Sequence, residues 1–227
     1  MKIISIIVPV YNEEKTIEKL LGMVKNMEVP LEKEIIVIND GSKDQSLEAL
    51  KKINGIKLLS HNQNLGKGAA IKTGLANCSG DIIAIQDADL EYNPNQIPDL
   101  IKPILENETE IVYGSRLLNK KNKNWENPTH YIANKALSFL ATILYGCKIT
   151  DVETCYKIFT KNVKNCINLE LNDFGFEIEF TAKACKNGFK IKEVPINYTP
   201  RPYSEGKKIN WRDGVKAFWY LLKFGLS

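Results

Sequence analysis

The sequence predicts an α/β fold, in which a mostly parallel central sheet carries helices on both of its faces. Short apolar runs rich in Ile and Val alternate with helical patterns through the first hundred of the 227 residues, and this alternation is typical of layered α/β proteins. The runs have few polar residues at alternate positions, which indicates strands buried on both faces, as in parallel sheets. The second half of the chain is less regular.

Four strands and three helices are predicted in the first half. The first strand is Ile3–Val10, whose residues are mostly β-branched and too few for a typical helix. A helix then opens at Asn12, a residue suited to capping, and its apolar residues recur at helical spacing: Ile17, Leu20, Leu21 and Val24. The other strands are predicted at 34–39, 56–60 and 81–86, and the other helices at 46–53 and 67–76.

The second half contains two more predicted strands and three more helices. The strands are 111–115 and 191–198, and the helices are 131–145, 176–187 and 211–224. Gly188 is suited to end the second of these helices. Polar or Pro/Gly-containing loops are predicted at 118–129 and 200–208. No repeat or linker is evident, so residues 1–227 are expected to form one domain.

Composition limits the class of protein. Hydrophobic residues make up 44% and charged residues 26% of the chain, as in ordinary globular proteins. The longest apolar run is Ile3–Val10, far shorter than the roughly 20 residues that span a bilayer, and it is not the pattern of a secretory signal. These observations exclude an integral membrane protein and favour the cytoplasm. The five cysteines show no CxxC pair, so reduced thiols are expected rather than disulfides or structural zinc.

Positive charge is concentrated near the C-terminus. Residues 183–227 contain ten Lys and Arg against three Asp and Glu, a local net charge of +7, and the rest of the chain is −3. This asymmetry indicates an anionic partner such as phosphate groups or a membrane surface, or else a solvated basic face. No nucleic-acid-binding motif accompanies the charge, so a nucleic-acid partner is not expected.

Polar clusters follow three of the predicted strands. They are Tyr11-Asn12-Glu13, Asp40-Gly41-Ser42 and Asp87-Ala88-Asp89. Ligands of open α/β sheets bind beyond the carboxyl ends of the strands, so the three clusters are expected to meet in one crevice.

The acidic triplet suggests a metal site. Asp87 and Asp89 follow an apolar strand directly, and Glu91 lies two residues further on. Carboxylates at a strand end suit Mg²⁺ or Mn²⁺, which typically takes one or two carboxylates and completes its shell with substrate phosphates. The alternative is a turn-forming Asp pair with no ligand.

Two other segments could contact a nucleotide. Asp40 could accept hydrogen bonds from a ribose or a base, or it could simply cap a helix. Lys67, within the glycine-containing segment 65–68, could contact a phosphate. Neither a Walker A loop nor a GxGxxG fingerprint is present. His61 and His130 are interpreted as surface polar residues.

A basic loop precedes the last helix. Arg201, Lys207 and Lys208 lie in this loop, where cations could close over a diphosphate and neutralise a leaving group. The helix after it carries apolar residues at helical spacing: Trp211, Val215, Phe218, Trp219 and Leu222. They are interpreted either as core packing or as an interfacial helix on anionic lipid.

Together these motifs resemble the family 2 inverting glycosyltransferases of the GT-A fold. The motifs that carry the resemblance are VPVYNEE at 8–14, VINDGS at 37–42, NLGKG at 64–68 and DADL at 87–90. Further segments are similar to the dolichyl-phosphate mannose synthase branch and its polyprenyl-phosphate relatives: GSR at 114–116, DVETCYK at 151–157, GFEIE at 175–179, EVPI at 193–196, Arg201 and GKK at 206–208. The resemblance covers essentially the whole chain.

The resemblance implies transfer of a hexose from GDP-mannose or UDP-glucose to a polyprenyl or dolichyl phosphate. The protein would bind peripherally to the inner face of the cytoplasmic membrane and catalyse the transfer there. Residues 1–115 would form the nucleotide-sugar half, and 116–227 the acceptor half. Nucleotide contacts would come from Pro9, Tyr11, Glu13, Ile38, Asp40, Lys67, Asp87 and Ala88, and metal contacts from Asp87, Asp89 and Glu91. Catalysis would depend on Asp89, Arg116, Arg201 and Lys207, and acceptor binding on Lys135, Asp151 and Glu177.

The chain departs from the family pattern at several positions. Glu91 replaces a frequent Gln, and the segment HYIANK at 130–135 lacks the Arg of the usual acceptor clamp, leaving His130 or Lys135 as substitutes. The (Q/R)xxRW signature of processive synthases is absent, which argues against polymer synthesis. Two alternatives remain. A hydroxyl acceptor would require a carboxylate base from among Asp151, Glu153, Glu177 and Glu179, and a non-catalytic protein would bind nucleotide sugar without turnover.

Overall fold

The computed structural model describes residues 2–122, 128–201 and 211–226. Seven strands lie within these ranges: β1 Ile3–Val10, β2 Glu32–Asn39, β3 Lys57–Ser60, β4 Ile82–Ile85, β5 Ile111–Ser115, β6 Lys157–Thr160 and β7 Ile191–Pro195. The helices are α1 Ile17–Asn26, α2 Ser46–Lys51, α3 Lys67–Asn77, α4 Ile97–Leu105, α5 Pro128–Tyr145, α6 Lys161–Cys166, α7 Phe176–Lys186 and α8 Trp211–Leu226. No helix within the described ranges has both the length and the apolar character needed to cross a membrane.

All seven strands belong to one sheet, in the order β3-β2-β1-β4-β6-β5-β7. Strands β3, β2, β1 and β4 are parallel to one another, and β5 is parallel to β7. Strand β6 runs antiparallel to both of its neighbours, β4 and β5. The predicted class, a mostly parallel sheet with helices, is confirmed. Because β6 is reversed, its beginning lies at the edge of the sheet where β4 ends.

The central strands are buried on both faces, as their composition predicted. Every residue of β4 is buried, and so are six of the eight residues of β1. Helix α3 covers β1 and β2 so closely that a Cβ on Gly74 would lie 2.5 Å from Cγ2 of Ile7. This close approach explains a glycine in the middle of a helix, where it otherwise costs stability.

A second, smaller core joins α5, α7 and α8. Its buried residues include Ala141 and Tyr145 of α5, Ile178 of α7 and Leu221 of α8. The Tyr145 hydroxyl donates a hydrogen bond to the Leu221 carbonyl at 3.1 Å. Cys147 and Cys185 are joined by a disulfide beside this core, with their Cα atoms 5.9 Å apart. The expectation that all five cysteines are reduced was therefore wrong, because folding brings together two residues that are 38 positions apart.

Several local predictions also need correction. Helix α1 begins at Ile17 and not at Asn12. Asn12 instead adopts a left-handed conformation with φ of 51°, and its side-chain oxygen accepts a hydrogen bond from the Lys43 amide. Helices α4 and α6 and strand β6 were not predicted, and β7 ends at Pro195, three residues earlier than expected.

Candidate active site

A cavity of about 300 Å³ opens at the carboxyl ends of β1 and β4. Its size is at the lower end of the range for small-molecule sites. Twelve of the predicted site residues line it: Pro9, Tyr11, Glu13, Asp40, Lys67, Asp87, Ala88, Asp89, Glu91, Arg116, Glu177 and Arg201. The structure thus brings together residues from all three polar clusters and from both halves of the chain.

Four predicted site residues are not in the wall. Ile38 is completely buried in the core of the sheet, and Asp151 is completely buried behind Arg116. Lys135 is exposed on α5, and Lys207 lies outside the described residues. Ile38 was expected from the family resemblance, but its side chain is completely buried because it belongs to a strand buried on both faces.

Asp40 holds the neighbouring loop in place. One carboxylate oxygen accepts from the Leu65 amide at 2.9 Å and lies 2.7 Å from Nδ1 of His61, and the other accepts from the Gly66 amide at 2.9 Å and the Asn64 side chain at 3.1 Å. Four hydrogen bonds fill the acceptor capacity of a carboxylate. Asp40 therefore shapes the wall rather than offering a vacant acceptor to a ribose or a base.

The interpretation of His61 as a surface residue was wrong. Its Nδ1 faces Asp40 at 2.7 Å and its Nε2 faces the Thr73 hydroxyl at 2.9 Å, with 12% of the side chain exposed. The ring therefore ties the end of β2 to α3. The side chain of His130 is outside the described residues.

Lys67 is held between two carboxylates. Its Nζ lies 2.9 Å from Asp87 and 2.9 Å from Glu177. Burial disfavours the charged amine, but the charges of Asp87 and Glu177 outweigh this effect and raise the pKa of Lys67 well above its usual range. The lysine therefore partly neutralises the two carboxylates and links the acidic triplet to the first turn of α7.

Asp89 is the carboxylate in the triplet whose charge is least compensated. It accepts one hydrogen bond, from the Glu91 amide at 3.0 Å. Burial, together with the negative charges of Asp87 and Glu91, raises the pKa of Asp89 to about 7. A divalent cation would relieve this repulsion, so the donor set fits Mg²⁺ or Mn²⁺.

Glu91 does not join Asp87 and Asp89 in a ligand cluster. Its carboxylate accepts from the Tyr198 hydroxyl at 2.6 Å and from the Arg201 amide at 3.1 Å. Among the residues that the structure describes, no three Asp, Glu, His or Cys side chains are grouped to bind a metal ion. The predicted three-carboxylate set is therefore not assembled, and Glu91 instead holds the segment that leads from β7 to Arg201.

Arg201 forms a two-pronged ion pair with Glu13. Its two terminal nitrogens lie 2.9 and 3.1 Å from the two carboxylate oxygens, a geometry that fixes both side chains. Nε of Arg201 is buried and has no hydrogen-bond partner within the described ranges. The pair joins the end of β1 to the segment after β7 across the cavity.

Arg116 is anchored from behind by Asp151. Its Nε and one terminal nitrogen donate to the two oxygens of Asp151 at 2.8 and 2.7 Å, and Asn134 of α5 donates to the same carboxylate at 2.9 Å. The charge of Asp151 outweighs the effect of burial and raises the pKa of Arg116 well above its usual range, and Arg116 in turn lowers the pKa of Asp151. The guanidinium lies 5.2 Å from the ring centre of Tyr198, a cation–π distance.

Sequence reasoning missed several wall residues. Tyr92, Tyr198, Cys155 and Phe174 line the cavity without having been predicted, and Glu153 had entered only as one of four alternative bases. Burial and the charge of Glu177 raise the pKa of Glu153 to about 7. Glu153 lies four residues before β6, so no polar cluster directly at a strand end marked it in the sequence.

Helices α5 and α8 leave apolar side chains exposed. Ile132, Phe139 and Ile143 of α5 are 64%, 64% and 61% exposed. Val215, Phe218 and Trp219 of α8 are 62%, 46% and 63% exposed. We call these six residues the α5/α8 apolar surface. Asn134, on the buried side of α5, contacts Asp151, so the first turns of α5 lie beside the Arg116 wall of the cavity.

Comparison with known proteins finds relatives along most of the chain. Residues 5–167 match Glycosyl transferase family 2. The chain is 31% identical over 242 aligned residues to the UDP-N-acetylglucosamine–dolichyl-phosphate N-acetylglucosaminyltransferase of Methanococcus voltae, with 97% of this chain and 95% of that protein covered. It is 30% identical over 209 residues to the dolichol-phosphate mannosyltransferase of Pyrococcus furiosus, covering 90% of this chain and 58% of the relative.

Solved structures share the fold at lower identity. Glucosyl-3-phosphoglycerate synthase from Mycobacterium tuberculosis, crystallised with Mn²⁺, UDP and phosphoglyceric acid, is similar with a TM-score of 0.76 and 22% identity, covering 99% of this chain and 78% of that one. A crystal structure of the same enzyme with Mg²⁺ and UDP gives a TM-score of 0.74 at 23% identity and covers 98% and 79% of the two chains. This likeness concerns the fold of the chain.

Proposed function

This chain belongs to glycosyl transferase family 2, as its motifs predicted, and from that premise we propose that it transfers a sugar from a nucleoside diphosphate to a polyprenyl phosphate. The fold is GT-A. The observation that carries the proposal is the pairing, in one cavity, of the Asp87/Asp89 carboxylates with the anchored guanidinium of Arg116. The first suits a metal-bound diphosphate, and the second suits a phosphate monoester.

The donor would bind between the end of β1 and the acidic triplet. Pro9, Tyr11 and Ala88 line this side of the cavity, with Asp40 shaping the loop behind it. Asp89, with Asp87 beside it, would hold Mg²⁺ or Mn²⁺. Such an ion, when bound, supplies positive charge that stabilises a departing diphosphate.

Arg201 would assist the same leaving group. Its pair with Glu13 fixes the guanidinium at the cavity wall, and the buried Nε remains as a donor for a phosphate oxygen. Lys207 would add a second cation from the basic loop. Preorganised donors of this kind stabilise charge that develops during displacement at the anomeric carbon.

Arg116 would orient the acceptor. A phosphate monoester is already an anion, so its oxygen needs no strong general base to attack the sugar. Asp151 and Asn134 would act as positioning residues, because they fix the guanidinium from behind. Lys135, exposed on the same turn of α5, would meet the charged headgroup from outside the cavity.

Relatives and sequence motifs narrow the donor to a short panel. The motifs favour GDP-mannose or UDP-glucose, and the name of the Methanococcus relative adds UDP-N-acetylglucosamine. For the acceptor, both named relatives act on dolichyl or dolichol phosphate according to their names. We propose a polyprenyl phosphate of this kind.

The α5/α8 apolar surface would rest on the membrane that carries the acceptor. Its aromatic and aliphatic side chains are accompanied by the exposed Lys216 and Lys223 on α8 and Lys135 on α5. Apolar side chains next to lysines are typical of helices that lie in the headgroup region of anionic bilayers. We propose that the protein binds peripherally to the cytoplasmic face of the membrane, with the Arg116 side of the cavity towards the lipid.

Transfer of labelled sugar to lipid tests the proposal. The protein is incubated with Mn²⁺, a polyprenyl phosphate and each labelled donor of the panel, and the label is extracted into organic solvent. We expect label in the lipid phase with the wild type, loss of at least a hundredfold in Asp89→Asn, and full activity in Asp99→Asn, a control at an exposed aspartate of α4.

Two outcomes would overturn the lipid acceptor. Label that appears in a water-soluble product alone would identify a hydroxyl acceptor, with Glu153 as the base nearest to the required pKa. Metal-dependent nucleotide binding without turnover on any acceptor would identify a non-catalytic binding protein.

A further inference from the structure

We propose that Glu153 and Glu177 form the sugar-recognition subsite of this cavity, where their carboxyl groups bind hydroxyl or amide N–H groups of the donor sugar and decide which sugar is accepted. The inference rests on the proposed function, because it takes the diphosphate to lie at Asp87 and Asp89. It assigns the chemistry of the neighbouring wall, which the transfer mechanism leaves unused.

The two carboxyl groups come from different elements but lie beside the acidic triplet. Glu153 precedes β6, which runs antiparallel to β4 with Ala84 opposite Ile158. The residues just before β6 therefore lie next to those just after β4, which include Asp87. Glu177, in the first turn of α7, shares the Lys67 amine with Asp87. A group attached to a diphosphate at the triplet would reach this part of the wall.

Each carboxyl group has an oxygen with no partner. Oε1 of Glu153 and Oε2 of Glu177 are buried and make no hydrogen bond within the described ranges, although both residues line the cavity. Buried polar atoms in folded proteins nearly always have a partner. Nε of Arg201 is a third exception in the same wall, but it is a donor, whereas the two carboxyl oxygens are acceptors and point to a ligand that supplies hydrogen-bond donors.

The surrounding charges favour a neutral ligand over a phosphate. Lys67 is already paired with Asp87 and Glu177, and Lys157 donates to the carbonyls of Val152 and Thr154. A second anion next to two carboxyl groups would be repelled, whereas sugar hydroxyls donate to carboxylates readily.

Selectivity is the expected consequence. A site that hydrogen-bonds a particular hydroxyl or amide rejects analogues that lack it, because its buried polar atoms are then left unpaired. The two carboxyl groups therefore suit the task of distinguishing epimers, or an acetamido sugar from a plain hexose.

Competition binding of nucleotide sugars tests the subsite. Wild type and Glu153→Gln are titrated, with Mn²⁺ present, against UDP, GDP and their glucose, mannose and N-acetylglucosamine conjugates. Glu153 is the better target because, unlike Glu177, it makes no ion pair to Lys67. We expect the preference among sugars to fall by about tenfold or more, and the affinity for the plain diphosphate to stay within about twofold. Glu48→Gln, at an exposed carboxylate of α2, is the control.

A second variant distinguishes loss of the subsite from a folding defect. Glu153→Asp keeps the charge but withdraws the carboxyl group, and we expect the same loss of sugar preference with a normal melting curve. Unchanged sugar preference in both variants, with intact diphosphate binding, would overturn the subsite alone. Absence of any nucleotide binding by the wild type would overturn the proposed function together with the subsite.

Discussion

At the level of single residues, Arg116 is a charged side chain that its neighbours hold in one position. Asp151 neutralises it from behind, Asn134 orients Asp151, and the ring of Tyr198 lies against the guanidinium. Arg201 is prepared similarly by Glu13. Both cations are held in place by protein carboxylates, so little reorganisation would be needed if charge develops beside them in the proposed reaction.

Removing Asp151 should damage both stability and acceptor binding. In Asp151→Asn the guanidinium of Arg116 keeps its charge but loses its buried partner, which typically costs about 3–5 kcal/mol. We expect a lower urea midpoint and a raised KM for the lipid phosphate, with the KM for the donor unchanged. Asp99→Asn, which breaks an exposed pair with Lys102, serves as the control. An equal rise in both KM values would show that Arg116 does not act on the acceptor.

Glu153 should make the stability of the protein depend on pH. Its pKa is about 7 in the folded chain against an ordinary value of 4.5, so the folded state holds a proton that the unfolded state releases in this range. The stability associated with this proton is complete below about pH 4.5 and is lost as the pH rises to about 7.

Glu153→Gln removes this titration. We expect its free energy of unfolding, relative to the wild type, to rise between pH 5 and pH 8 by about 1–3 kcal/mol, since one pKa unit is about 1.4 kcal/mol. Urea unfolding at the two pH values measures the difference. A gap that stays constant with pH would mean that Glu153 is not desolvated.

Sequence alone located some residues of the site and missed others for a physical reason. Asp87 and Asp89 were predicted because they follow an apolar strand, and a strand end is a local signal. Tyr198 and Glu153 reach the cavity only through pairings between distant segments, such as Ser115 with Pro195. The donors that already contact Asp40 and Glu91 were also not predictable, because a sequence shows where a carboxylate stands but not which groups hydrogen-bond to it.

Among the elements, the reversed strand β6 and the helix pair α5/α8 would form the acceptor side that we propose. Strand β6 was not predicted, yet its direction places Glu153 next to the end of β4. For α8 the sequence left two interpretations open: core packing describes the buried side of the helix, and the interfacial interpretation stays a prediction for the exposed side. Leu221 and Phe224 are buried in the second core, whereas Phe218 and Trp219 are exposed.

The exposed side of α8 should bind anionic membranes. We expect Trp219→Glu to weaken binding to phosphatidylglycerol vesicles by about tenfold or more, because a buried aromatic side chain contributes roughly 1.5–3 kcal/mol. Co-sedimentation at low and high salt measures the effect. The control is Asn54→Glu, which adds the same charge at an exposed site near β3. Equal loss in both variants, or vesicle binding that Trp219→Glu leaves intact, would contradict a role for α8.

In the whole molecule, one seven-stranded sheet would connect the proposed nucleotide side to the proposed acceptor side. Strands β1 and β4 bring the proposed donor-binding residues to its centre, and β6, β5 and β7 extend it towards Arg116 and Arg201. The parallel part of this architecture was predictable because buried strands are apolar throughout. The disulfide and the antiparallel pairing were not, since both depend on contacts between residues far apart in the sequence.

Metal and nucleotide should stabilise the protein together. A ligand present at a hundred times its Kd adds about 2.7 kcal/mol, which for a chain of this size raises Tm by roughly 5–10 °C. We expect this shift with Mn²⁺ plus the matching nucleoside diphosphate, and little shift after EDTA or in Asp89→Asn. If the nucleotide raises Tm by the same amount in the presence of EDTA, nucleotide binding does not depend on a metal ion.

A crystal grown with Mn²⁺ and a nucleoside diphosphate would show whether Asp89 binds the metal in the cavity that it shares with Arg116. We expect the anomalous peak of the metal within bonding distance of Asp89, with diphosphate oxygens completing its shell and the rest of the nucleotide beside Tyr11. A peak elsewhere on the chain, or a nucleotide outside the cavity that Asp89 shares with Arg116, would contradict the proposed site.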